Sequence, residues 1–210
     1  MRRHRLLFIL FIVDVALVFA HIFLRKKLGF FNLDKEGSLK AVYSGFQLLV
    51  SGGVAALIAY LLHEKAKRWL WGVTSAGFVY LGLDEMMVIH ERIGFVLNRW
   101  SGLTGYWGES FNWLLYFTPF IAAALLVYFL LIRMVSKYDR RCAIGILFGA
   151  AFFVASIALE VIGGKILGTR WYQTEIIAEE ALQLVGESLF LVSFLLLLQK
   201  KFYTMYVRRV

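Results

Sequence analysis

The stretch Gly82-Leu83-Asp84-Glu85-Met86-Met87-Val88-Ile89-His90-Glu91-Arg92 closes an apolar run that begins near Trp69. On a helix turning about 100° per residue, Asp84 and Glu91 fall on nearly one line. Glu85 lies about 100° to one side and His90 about 120° to the other. A charged side chain at membrane depth costs roughly 2.5–3.5 kcal/mol on insertion scales. Such a polar arc therefore requires a cavity or polar partners elsewhere in the chain.

Composition supports the membrane setting. The chain has 210 residues, is 60% hydrophobic and contains one proline. Several apolar runs reach the roughly 20 residues needed to cross a bilayer. The expected fold is all-α, a polytopic integral membrane bundle forming one domain over residues 1–210. Its six transmembrane helices are expected at about 6–24, 41–62, 69–91, 111–132, 142–162 and 175–198. Span 3 is expected to continue as one helix past Glu91 toward Trp100. A basic start before an apolar run also fits a signal peptide. Against that, Asp14 interrupts the run and Arg25-Lys26-Lys27 follows it. Ser51-Gly52-Gly53 and Gly145-Ile146-Leu147-Phe148-Gly149 permit close helix approach, and Pro119 predicts a kink in span 4.

The net charge of +9 is spread over span ends, which fits topology and lipid headgroups as partners and argues against nucleic acid. Fourteen of the 23 Lys and Arg residues fall in the two termini and the second and fourth loops, which predicts cytoplasmic termini. Trp100, Trp107, Trp113 and Trp171 then belong to the outer interface, and Trp69 and Trp71 to the inner one. With Cys142 alone, no intramolecular disulfide and no thiolate metal cluster can form.

In this topology Asp84, Glu85, His90 and Glu91 face the outer leaflet, as do Glu160 near the end of span 5 and Glu179, Glu180, Gln183 and Glu187 in span 6. Glu180, Gln183 and Glu187 share a helical face. Asp14 and His21, seven apart in span 1, share another. Almost no lysine or arginine is expected inside the spans to neutralise these acids. They must then hold protons, or cations must sit among them.

Carboxylates with imidazole suit a divalent metal of the Zn, Mn or Fe class. Asp84, His90, Glu91, Glu160, Glu180 and Glu187 are the candidate ligands, with Glu85 and Glu179 as candidate general bases. Metal-bound water would then serve hydrolysis or group transfer on a lipid or envelope substrate. A proton- or cation-coupled carrier or channel is the alternative, its path marked by Asp14, His21, Gln183 and Glu187. A non-catalytic sensor or assembly subunit is a third.

The set Leu83-Asp84-Glu85-x4-His90-Glu91, Leu159-Glu160 and Glu179-Glu180-x-Leu182-x3-Gly186-Glu187 resembles a pattern in small uncharacterised prokaryotic multi-pass membrane proteins. The resemblance covers about the last two-thirds of the chain. It implies a prokaryotic cell membrane and brings no activity. Size and acid/His content are also similar to the alkaline-ceramidase and progestin-receptor-like zinc hydrolases. Their His-x-x-x-His is absent, so their catalysis is not carried over.

Overall fold

The computed structural model describes residues 3–33, 37–101, 112–166 and 168–207. The described chain is all-helical: α1 (Arg3–Leu24), α2 (Leu39–Tyr60), α3 (Lys65–Met87), α4 (Ile89–Ser101), α5 (Asn112–Ser136), α6 (Arg140–Ile166) and α7 (Tyr172–Val207), with a short 3-10 turn at Gly29–Phe31. Five of these helices are long and apolar enough to cross a membrane, and α3 with α4 gives a sixth candidate. Phe8, Phe11, Phe19 and Phe23 of α1 and Leu125, Leu126 and Phe129 of α5 point outward, a surface compatible with lipid.

The third span departs from expectation. The helix breaks at Val88, and α4 leaves α3 at 78°. Val88 has φ 54°, in the left-handed region. A β-branched residue is strained there by about 1–3 kcal/mol, so neighbouring contacts must hold it.

Helix α7 is the central post, packed against α1, α2 and α6, while α2 also packs on α3 and α5 on α6. Close packing and interhelical hydrogen bonds join the helices. Glycine pairs permit that approach. A Cβ on Gly45 would lie 2.8 Å from the Gly82 carbonyl, and one on Gly82 equally close to that of Gly45. Gly149 and Gly186 make the same exchange between α6 and α7, at 3.0 Å. These contacts run antiparallel. The α2–α7 bonds described below run parallel.

Trp71, Phe78, Phe190 and Phe194 form a buried aromatic core, with Trp71 and Phe194 edge to face at 5.2 Å. Trp71 is therefore a packing residue and not part of the expected inner belt. Trp69, Trp100 and Trp171 are exposed, whereas Trp107 and the Trp113 side chain lie outside the described residues.

At the far end, Asp139 caps α6 by accepting the Arg141 and Cys142 amides at 2.9 and 3.3 Å, and it also pairs with Lys200 of α7. Burial opposes the Asp139 charge, but Lys200 and the two amides outweigh it and hold the carboxyl down to about 2. A folded-state value below the ordinary 3.8 means this contribution is complete above that value and fades as pH falls toward 2. In acid titrations of thermal stability, Asp139→Asn should be less stable than wild type at neutral pH, and the difference should vanish near pH 2.

Candidate functional site

The break at Val88 builds the first part of the site. In an unbroken helix Asp84 and His90 would point apart. Here the Asp84 side chain reaches across the break, with Oδ1 accepting the His90 backbone N–H at 2.7 Å and Oδ2 lying 2.6 Å from His90 Nδ1. Asp84 thus acts as an N-cap for α4 and orients the imidazole. With Nδ1–H donated to Asp84, Nε2 is the basic nitrogen. Glu91, the residue expected to align with Asp84, is exposed instead.

This dyad borders a cavity of about 780 Å³ between α3, α4, α5, α6 and α7, within the size range of ligand pockets. Val73, Phe78, Phe117, Phe120, Val127 and Tyr128 supply apolar wall. Asp84, Glu85, His90, Glu160, Glu179 and Gln183 also line it. Asp84, His90 and Glu160 of the expected set thus line one cavity, and Glu85 and Glu179 line it with them.

Behind Glu85 lies a feature that helical periodicity alone does not expose. By hydropathy Lys40 falls in the first loop. It is instead buried in the first turn of α2, which starts at Leu39 because Ser38 caps it through the Ala41 amide at 3.2 Å. Its ammonium pairs with Glu85 of α3 at 2.7 Å and with Glu180 of α7, and donates to Gln183 Oε1 at 3.1 Å. One lysine thus ties three helices. The Gln183 amide donates to Glu85 at 2.7 Å and Glu187 at 3.1 Å, and Ser44 donates to Glu187 at 2.6 Å. A signal for it does exist in Lys40-x3-Ser44-x2-Gln47-x3-Ser51, a polar stripe at helical spacing along an otherwise apolar span.

A second network adjoins this one. Gln47 donates to Ser188, Ser188 to Asp14 at 2.8 Å, and Tyr43 to Asp14 at 3.0 Å. Asp14 thereby joins α1 to α2 and α7. His21 acts locally. Its Nδ1 accepts the Leu33 amide at 2.9 Å, and Arg25 lies against Nε2. Its described bonds pin the α1–α2 connection and do not extend to the acids.

The expected six-residue ligand set is consequently divided. Asp84, His90 and Glu160 face the cavity, Glu180 holds Lys40, Glu187 holds Ser44 and Gln183, and Glu91 faces outward. Among the described residues no group of three or more His, Cys, Asp or Glu side chains could hold a metal ion. Lys40 supplies positive charge beside Glu180, and both Asp84 oxygens are engaged by His90.

The fold and site define an all-helical protein compatible with the membrane, in which an Asp–His dyad and further acids border a largely apolar cavity. The chain belongs to the family described as a domain of unknown function (DUF8692), whose model matches residues 6–198. No curated protein and no solved structure matches it.

Proposed function

We propose that this is an integral membrane protein that takes an amphiphile into the cavity and performs proton-transfer chemistry on its polar head. The carrying observation is the combination of apolar walls with the Asp84–His90 dyad. An alkyl chain fits beside Phe117, Phe120 and Val127. The head would meet His90, Glu160 and Glu179, whose acidic balance favours hydroxyl or amine groups over a carboxylate. His90 Nε2 serves as the base, and Asp84 stabilises the imidazolium formed. No metal step is required. A carrier is the second reading, favoured by two adjoining polar networks, one holding Asp14 and the other Glu85.

Gly77 offers a clean test, because it lines the cavity and a Cβ there meets nothing within 4 Å. Gly77→Trp should fill the space without touching the acids. Long-chain probes carrying a diazirine and an alcohol, amine or carboxylate head would be photolysed with the purified protein. Labelling of α5 by the alcohol or amine probe should fall at least several-fold in the variant. Equal labelling of a folded Gly77→Trp protein would sink this reading.

A further inference from the structure

Among the described residues, two buried oxygens in the α2–α7 seam have no hydrogen-bond donor: Glu187 Oε2 and Gln47 Oε1. Glu187 is fully buried and Gln47 is 3% exposed. Leaving an acceptor buried and unsatisfied is costly, so two in one seam call for a shared explanation. Their placement provides one. Ser44 and Gln47, one turn apart on α2, bond the consecutive α7 residues Glu187 and Ser188. The other Glu187 oxygen, Oε1, already accepts from Ser44 and Gln183. One hydrogen shared between the two remaining oxygens would satisfy both.

We propose that Glu187 is an exchangeable proton site, its carboxyl carrying a hydrogen on Oε2 for which Gln47 Oε1 is the acceptor. Uptake is balanced simply: hydronium in the cavity transfers a proton to the Glu187 carboxylate and leaves water. Gln183 connects the site to the cavity, since it lines that space and bonds both Glu85 and Glu187. A proton is the smallest occupant that meets the need, because it uses only the two oxygens already present.

The surrounding charges fit a site not neutralised by its neighbours. On α2, Lys40 is shared by Glu85 of α3 and Glu180 of α7, and Tyr43 is bonded to Asp14 of α1. Glu160 is the acid contributed by α6, and Glu179 a further one on α7; both line the cavity. Glu187 therefore sits among acids; Lys40 also favours its charge, but that ammonium is paired directly with Glu85 and Glu180. This proton site needs no ligand and so is independent of the amphiphile reading.

The test is pH-difference infrared spectroscopy on the full chain in lipid nanodiscs. Wild type should show a protonated-carboxyl band that titrates and survives in Asp14→Asn. Glu187→Gln should lose that band, and its amide N–H supplies the missing hydrogen, so the variant should remain folded. Gln47→Leu removes the acceptor and should shift the band, which decides the matter even if Glu187→Gln fails to fold. Persistence of the band unchanged in Glu187→Gln overturns the proposal. So does a wild type with no titrating carboxyl band, which makes a trapped water the donor, or one whose carboxylate signal responds to Na+ and not to pH.

Discussion

Lys40→Met should destabilise the protein by about 3–5 kcal/mol, the range for breaking a buried ion pair by removing one partner. The loss is large because Lys40 serves Glu85 and Glu180 together and also donates to Gln183. Methionine leaves two acids in the interior without their cation. The variant should lose most of its folded fraction in mild detergent, as read by size-exclusion profile and thermal melting. The triple change Lys40→Met, Glu85→Gln, Glu180→Gln should recover much of the loss, because it removes the charges together. If Lys40→Met melts with wild type, the ammonium does not hold these helices. Lys40→Arg should recover only part, since a planar guanidinium does not match a compact three-way ammonium site.

The second large effect is expected at the α3–α4 break, where Asp84 has two roles that substitution can separate. Asp84→Asn retains an oxygen for the His90 amide, so α4 should stay capped. Its NH2 group cannot accept Nδ1–H, so the imidazole must change tautomer or turn. Turnover of the amphiphile identified by photolabelling should then fall by about 10²–10⁴-fold, the usual contribution of a positioned base, with little change in melting. Asp84→Ala removes both roles. It should cost a further 0.5–2 kcal/mol or so in capping, visible as faster hydrogen exchange in the first turn of α4. His90→Gln should match the turnover loss and leave Asp84 able to cap. Equal turnover in Asp84→Asn and wild type would remove the dyad from the chemistry.

Much of this architecture is legible without coordinates. Apolar runs of sufficient length specify helices suited to a bilayer, because only internally hydrogen-bonded segments are stable there. Acids inside those runs mark the polar interior for the same energetic reason, and Glu180, Gln183 and Glu187 do share a working face. Helical periodicity suffices for that, since it depends only on neighbours along one chain.

What the sequence did not determine was which groups meet. Val88 carries no glycine or proline signal for a break, and its left-handed backbone is held by the Asp84 bonds across it. That local event brings His90 onto Asp84, where helical periodicity alone would align Glu91. Lys40 reads as a loop residue because its meaning depends on α3 and α7, which are 45 and at least 140 positions away. The sequence by itself determined that buried acids needed compensation. Only the tertiary structure decided that a lysine provides it at Glu85 and Glu180, because charge neutralisation depends on distances between helices that no single helix encodes.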